Sequence, residues 1–133
     1  MTRRSELGNL GEDIACAYLV NKKYKVLFRN YKKPWGEIDV IARAKDKTLV
    51  FVEVKTVTEK GRYSLTPEDQ MTRGKVAKFK RVAQLFAGNN ESWIYPKSGW
   101  RLDVVAITLP SDALERTAQE LLPVAKINHY ENI

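Results

Sequence analysis

The chain has 133 residues, of which 44% are hydrophobic, enough for one core, so we expect a single domain over residues 1–133. Lys and Arg number 23 against 16 Asp and Glu, and the net charge of +7 favours a polyanionic partner, nucleic acid before an anionic membrane surface. A single cysteine excludes an intramolecular disulfide, and a single histidine argues against histidine-based zinc sites. No signal-peptide core or bilayer-length apolar segment is found, which predicts a soluble cytoplasmic protein without membrane association.

The first predicted element is a helix from Ser5 to about Lys23, with Ser5 as its candidate N-cap. Apolar residues recur at helical spacing and form one stripe along it. Glu12 falls at the edge of that stripe. Its carboxylate is either turned out to water or aimed into a site under the helix.

A strand from Tyr24 to Tyr31 follows, and then a basic, aromatic turn from Asn30 to Trp35. Aromatic residues interleaved with Lys32 and Lys33 can contact bases and phosphates of a nucleic acid. Alternatively, the turn is an ordinary loop in which Trp35 covers the edge of the core. The sequence does not separate these two interpretations.

Two alternating stretches come next, over residues 36–42 and 49–56, and both are typical of strands. In the first, Glu37 and Asp39 are expected on one face, opposite Ile38 and Val40. In the second, Glu53 and Lys55 are expected to share a face with Phe51. A short polar turn separates the stretches, so they predict an antiparallel hairpin that brings Asp39 close to Glu53 and Lys55.

Acidic side chains grouped on a pleat between Val, Ile and Phe repel each other and lose hydration, so three such acids together call for a cation. Oxygen ligands favour Mg²⁺ or Mn²⁺ over Zn²⁺. A lysine two residues from a metal-binding glutamate can hold or polarise a water molecule. Asp39 followed by Glu53 and Lys55 on the next strand therefore indicates metal-assisted hydrolysis of a phosphodiester. The alternative is a solvated surface ion pair between Glu53 and Lys55.

The second half of the chain begins with a polar loop, residues 57–66, whose Lys60 and Arg62 are candidates for substrate contact. Thr66 to Asp69 has the signature of a helix start, and a short turn there precedes a helix from Thr72 to Ala87. That helix carries an apolar stripe and a basic remainder, which is either a phosphate-facing surface or a solvated face: Lys75, Lys78, Lys80 and Arg81.

The remaining segments predict strands at residues 93–95, 100–109 and 124–128, with a short helix or loop over residues 111–122. Asp103, within the buried strand, is expected to be a hydrogen-bonded structural residue. This order of helices and strands predicts an α/β fold with a mixed central β-sheet flanked by helices.

Six short motifs occur in an order that resembles the YraN family of small bacterial proteins. They are Gly11-Glu12-Asp13-Ile14-Ala15, Tyr18-Leu19, Arg29-Asn30-Tyr31, Gly36-Glu37-Ile38-Asp39, Phe51-Val52-Glu53-Val54-Lys55 and Arg101-Leu102-Asp103-Val104. That family is similar to restriction-endonuclease-like, or PD-(D/E)xK, nucleases, and within them to archaeal Holliday junction resolvases. The resemblance covers nearly the whole chain and implies the restriction-endonuclease-like fold.

The resemblance also implies an active site. Asp39 matches the first metal ligand, Glu53 the second, and Lys55 the site lysine; Glu12 matches a helix-borne acid of resolvase-like members. Two features depart from the nuclease pattern. Glu37-Ile38, and not proline, precedes Asp39, and Val76 lies near the position where related nucleases carry a glutamine, for which Gln70 is a candidate substitute.

The leading hypothesis is a Mg²⁺- or Mn²⁺-dependent endonuclease in which Asp39, Glu53 and the Val54 carbonyl hold the metal and Lys55 activates water. The residues expected to contact DNA phosphates are Lys32, Lys33, Lys75, Lys78 and Arg81. Resemblance to the resolvases suggests branched DNA as substrate and a homodimer. The alternatives are a non-cleaving nucleic-acid-binding module with the nuclease fold, and an adaptor that binds a protein partner through its basic helix.

Overall fold

The computed structural model describes residues 3–59 and 66–133. Their helices and strands are α1 (Arg3–Asn21), β1 (Lys25–Lys33), β2 (Gly36–Arg43), β3 (Leu49–Thr58), α2 (Arg73–Asn89), β4 (Trp100–Leu109), α3 (Ala118–Leu121) and β5 (Lys126–Tyr130). Short 3₁₀ turns lie at Glu68–Gln70, Glu91–Trp93 and Ala113–Glu115. The predicted α/β fold, a mixed sheet flanked by helices, is confirmed at this level.

The five strands follow one another across the sheet in the order β1-β2-β3-β4-β5. Strands β3 and β4 are parallel, and every other neighbouring pair is antiparallel. The parallel pair requires a crossover connection, and α2 lies in it. Strand β3 is therefore the central strand, with β2 on one side and β4 on the other.

Two hydrophobic clusters cover the two faces of this sheet. Alternate residues of β3 belong to different clusters, because successive side chains of a strand point to opposite faces. The α1 cluster joins α1 and α3 to the sheet, and its members include Ile14, Leu19, Val40, Val52, Val105 and Leu121. The α2 cluster joins α2 to the other face, and its members include Ile38, Phe51, Phe79, Val82 and Phe86.

The predicted alternation of β2 is wrong at one point. Ile38 and Val40 were expected on the same face, yet Ile38 lies in the α2 cluster and Val40 in the α1 cluster. Pairing between β2 and β3 extends from Val40 to Arg43. The residue at which the alternation breaks, Asp39, is therefore the one at which β2 leaves the ladder with β3.

Several predicted boundaries differ from the structure. Ser5 lies inside α1 and is not its N-cap, and β1 continues to Lys33, so the predicted six-residue turn shrinks to Pro34 and Trp35. Residues 93–95 are not a strand: the segment begins with a 3₁₀ turn. The error in β1 has a clear cause, since local composition does not report how far pairing with β2 extends the ladder.

Other boundaries are confirmed. Strand β4 has the predicted limits, and α2 begins after Thr72, whose hydroxyl accepts a hydrogen bond from the Lys75 N–H. Strand β3, by contrast, runs to Thr58, two residues beyond its predicted end, and Lys60 and Arg62, the predicted loop contacts, lie outside the described residues. None of the described helices combines the length and hydropathy that crossing a bilayer requires.

Candidate active site

Asp39 lies where β2 separates from β3, and its carboxylate takes the place of a backbone hydrogen-bond acceptor for β3. Its Oδ2 accepts a hydrogen bond of 2.8 Å from the Val54 N–H. Burial, followed by the nearby charge of Glu53, raises the pKa of Asp39 to about 8, although the Val54 N–H and Lys55 oppose the rise. A carboxylate in this position is short of positive charge.

Glu53 and Lys55 form an ion pair on β3, next to Asp39. The Lys55 Nζ lies 3.1 Å from the Glu53 Oε1, and the two side chains are about one-fifth exposed, 20% and 19%. Their mutual charge is therefore partly shielded from water, which makes the pair stronger than a solvated surface pair. The structure brings Asp39 of β2 close to Glu53 and Lys55 of β3, which is the grouping that the sequence predicted.

The backbone of Val54 is aimed at Asp39. In a β-strand the N–H and C=O of one residue lie on the same strand edge. Since the Val54 N–H bonds to Asp39, its carbonyl also faces the gap between β2 and β3. This orientation suits the predicted role of the Val54 carbonyl as a ligand.

Glu12 reaches this region from α1, because the helix approaches β3 closely one residue earlier. A Cβ atom on Gly11 would overlap the side chain of Thr56. The Glu12 Oε1 is buried without a hydrogen-bond partner, and so is the Thr56 Oγ1. Burial raises the pKa of Glu12, with contributions from Glu37 and Glu53 among others, while Arg29 lowers it. One carboxylate oxygen of Glu12 is therefore turned inward, although the side chain as a whole is only half-buried.

The donor set can be compared with the needs of a divalent ion. Within residues 3–59 and 66–133, no three Asp, Glu, His or Cys side chains lie close enough to hold a metal together. The expectation of three crowded acids is thus wrong for the described residues. Two carboxylates, Asp39 and Glu53, remain with the Val54 carbonyl. This set fits Mg²⁺, which retains several waters and takes one or two carboxylates from the protein.

An open cleft of about 470 Å³, here the α2 cleft, lies on the α2 side of this group. Its lining combines acids of the candidate site with lysines of β1 and α2: Lys32, Lys33, Pro34, Trp35, Gly36, Glu37, Glu53, Lys55, Lys75, Lys78, Phe79 and Val82. Four of the five predicted phosphate-contacting residues are among them, and Arg81 is not. Gln70 does not line the cleft either. Asp39 is also outside the lining.

The turn at Pro34 and Trp35 forms one wall of the cleft. Gly36 follows it with φ of +146°, a conformation that L side chains rarely adopt, and a Cβ there would overlap Val82 of α2. The turn therefore rests directly against α2. Trp35 keeps 46% of its surface exposed, so a large part of its ring faces the cleft.

A second group of polar residues was only partly predicted. Asp103 is fully buried and, as expected, hydrogen-bonded: it accepts bonds from His129 Nε2 at 2.7 Å and Arg101 Nε at 3.0 Å. The Asn132 N–H donates a third at 3.0 Å, and Tyr18 contacts His129 Nδ1 at 3.0 Å. These residues form the Asp103 network. They border a cleft of about 490 Å³, and their cross-strand partners are not visible in the sequence.

In the Asp103 network the direction of the pKa shift is reversed. Burial acts to raise the pKa of Asp103, but hydrogen bonds from His129, Arg101 and Asn132 outweigh it and leave the pKa below its usual value. Because an ionised carboxylate can only accept, His129 Nε2 carries the hydrogen toward Asp103, and a neutral ring then accepts the Tyr18 hydroxyl.

Residues 11–107 match the uncharacterised protein family UPF0102. The chain belongs to this family, the YraN group that its motifs resemble. A UPF0102 protein of Mycobacterium ulcerans is 39% identical over 112 residues, which cover 83% of this chain and 87% of the relative. One from Roseiflexus castenholzii is 35% identical, covering 90% and 92%, and one from Alkaliphilus oremlandii is 36% identical, covering 96% of both chains.

Proposed function

We propose that this UPF0102 protein is a restriction-endonuclease-like enzyme that hydrolyses DNA phosphodiesters with Mg²⁺ or Mn²⁺. The observation that carries the proposal is the position of Asp39: a buried, cation-deficient carboxylate bonded to the Val54 N–H, next to the Glu53–Lys55 pair. Strained electrostatics of this kind is typical of functional sites. The resemblance to resolvases adds a branched DNA substrate and a homodimer to the proposal.

Each residue of the site has a role that its surroundings support. Asp39, Glu53 and the Val54 carbonyl would hold the ion, which supplies Lewis acidity and neutralises charge at the phosphate. Lys55 orients the attacking water by donating a hydrogen bond as an ammonium, or takes up its proton as a neutral amine. Glu12 has a free buried oxygen, Oε1, that can accept a hydrogen bond from a water molecule at the same site.

The α2 cleft supplies the electrostatic part of binding. Four lysines, two from β1 and two from α2, surround the acidic group, so the negative site is enclosed by positive charge: Lys32, Lys33, Lys75 and Lys78. If each neutralises one phosphate of duplex DNA, log affinity falls with log salt at a slope of roughly −3.6. A phosphate held by these lysines lies beside Glu53 and Lys55, where hydrolysis is proposed.

The test is cleavage of three substrates, a four-way junction, a linear duplex and a single strand, with Mg²⁺ or Mn²⁺. We expect Lys55→Ala to lower the cleavage rate by about 10²- to 10⁴-fold, the usual contribution of a positioned proton-transfer group. Lys25→Ala is the matched control, because Lys25 is exposed and does not line the α2 cleft. Equal cleavage by wild type and Lys55→Ala contradicts the proposed role.

A second candidate, the non-cleaving DNA-binding module, is favoured by one observation. The Lys55 ammonium is already engaged by Glu53 at 3.1 Å, while the four lysines of the α2 cleft can bind DNA phosphates without any turnover. This candidate predicts salt-sensitive binding that Asp39→Ala leaves unchanged, with no cleavage of any of the three substrates.

A further inference from the structure

The three tryptophans of the chain have different environments. Trp93 and Trp100 pack against the α2 cluster, where Trp93 contacts the ring of Phe28 and Trp100 the ring of Phe51, with centroids 5.2 and 5.5 Å apart. Trp35 belongs to neither cluster and makes no ring contact with any described residue. A large, half-exposed aromatic ring is thus held at the surface without a ring partner among residues 3–59 and 66–133.

Trp35 is exposed in a specific place, the wall of the α2 cleft. It lines this cleft together with Glu53 and Lys55 and with the four lysines of the cleft. Its backbone is fixed, because Pro34 restricts one side of the two-residue turn and Gly36 rests on Val82 on the other. A ring on a rigid turn loses little conformational entropy when it binds, since few torsions remain to be ordered.

The charge around Trp35 indicates what kind of partner its ring would bind. The ring is bordered by the lysines of β1 and α2, so its partner carries negative charge on both sides of a flat, apolar face. A nucleic-acid strand has this arrangement, with phosphates flanking each base, and base–aromatic stacking needs no particular sequence. A base inside a duplex is already stacked on both sides and offers no free face.

We propose that Trp35 stacks on an unpaired base of the strand whose phosphates occupy the α2 cleft. The inference rests on the proposed function and narrows its substrate to DNA with single-stranded character beside the phosphate that is cut. Trp35 selects such DNA by binding a base that only an unpaired nucleotide presents, while the lysines bind any DNA backbone.

The test measures binding in EDTA, so that it does not depend on cleavage. A ten-nucleotide oligothymidylate is compared with a dumbbell duplex whose ends are closed by non-nucleotide linkers, so that it has no unpaired base. Both are tested with wild type, Trp35→Ala, Trp35→Phe and Tyr95→Ala. Tyr95 is the matched control because it is 51% exposed but lies outside the α2 cleft. Circular dichroism establishes that each variant is folded.

We expect Trp35→Ala to weaken binding of the oligothymidylate by about 5- to 100-fold, the range found for single stacked bases, and binding of the dumbbell by less than about 2-fold. Trp35→Phe retains most of the affinity, and Tyr95→Ala matches wild type. The oligothymidylate also quenches tryptophan emission of wild type more than that of Trp35→Ala. The salt slope stays the same in Trp35→Ala, since stacking releases no counterions, whereas Lys75→Ala reduces it.

Three results overturn the inference: unchanged oligothymidylate affinity in Trp35→Ala, an equal loss for oligothymidylate and dumbbell, or a change of oligomeric state in that variant, which would make Trp35 part of a contact between copies. The proposed nuclease survives each of them if Lys55-dependent cleavage is found. If wild type binds neither DNA, both the inference and the proposed function fail.

Discussion

Two aspartates flank the central strand of the sheet and have opposite surroundings. Asp39, on β2, bonds to the Val54 N–H, whereas Asp103, on β4, is in register with Val52, two residues earlier on the same strand. Asp103 accepts four hydrogen bonds from three residues and has a lowered pKa. Asp39 accepts one hydrogen bond from the described part of the chain, that of the Val54 N–H, and has a raised pKa. Burial alone therefore does not decide the charge state; the donors around each carboxylate do.

The difference separates structure from function in this sheet. A buried carboxylate whose donors all come from the protein is a finished structural element, and replacing it disrupts those donors. A buried carboxylate that lacks positive charge costs stability in the folded protein and is a candidate for a functional role. Asp103 is of the first kind and Asp39 of the second.

The largest expected effect follows from replacing Asp103. Asp103→Asn leaves Arg101 without its carboxylate inside a partly buried network, and we expect a loss of about 3 kcal/mol in the free energy of unfolding, measured in urea. The same replacement at Asp39, Asp39→Asn, is expected to leave the metal-free protein equally stable or more stable at pH 8. Equal losses in the two variants would show that the comparison is wrong.

The pH dependence of stability gives an intermediate effect. The folded pKa of Asp39, about 8, lies above the usual 3.8, so the folded state binds the proton more tightly and stability falls as pH rises from about 4 to about 8. One proton gives at most about 1.4 kcal/mol per pH unit. Allowing for screening, we expect a loss of about 2 kcal/mol between pH 5 and pH 8 in EDTA, measured by urea unfolding.

Asp39→Asn is the control for this pH effect. It should remove the part of the pH dependence of stability that Asp39 contributes. Asp103 contributes in the opposite direction: its lowered pKa adds stability above the usual 3.8, and this stability is lost as pH falls through its folded pKa. A wild-type slope between pH 5 and pH 8 that persists in Asp39→Asn would assign the effect to other groups.

The smallest effects concern single hydroxyls near each aspartate. Tyr18→Phe removes the contact with His129 and should cost about 1 kcal/mol of stability. Thr56→Val removes a buried hydroxyl without a partner, so we expect stability to stay within about 0.5 kcal/mol of wild type or to increase. Thermal unfolding of the two variants side by side measures the difference, and a larger loss for Thr56→Val is the outcome that opposes it.

The sequence predicted which side chains share a face of β3 better than it did for β2. Alternation placed Glu53 and Lys55 together, because a regular strand keeps its period. It failed at Ile38 and Val40, because a break in a ladder depends on the neighbouring strand and leaves no local pattern. The Asp103 network was foreseen only in part, since His129 is 26 residues away and meets Asp103 only when β5 pairs with β4.

The same limit applies to the cleft. The basic residues of the turn and of α2 were recognised separately, but their meeting around Glu53 depends on how the turn rests on Val82. Arg81 was expected there because it lies on the same basic helix, yet helical periodicity turns it away from the cleft. Trp35 was left undecided by the sequence, and its exposure is a property of the packed turn.

The close approach of α1 to β3 depends on Gly11, a residue that carries no reactive group itself. Because Gly11 leaves room only for hydrogen against Thr56, any larger residue at position 11 would lift the helix and carry Glu12 away from Asp39, with every acid still present. The proposed hydrolysis could therefore be lost through a change in spacing alone. A survey of substitutions that is restricted to charged residues would overlook Gly11, which sets this spacing.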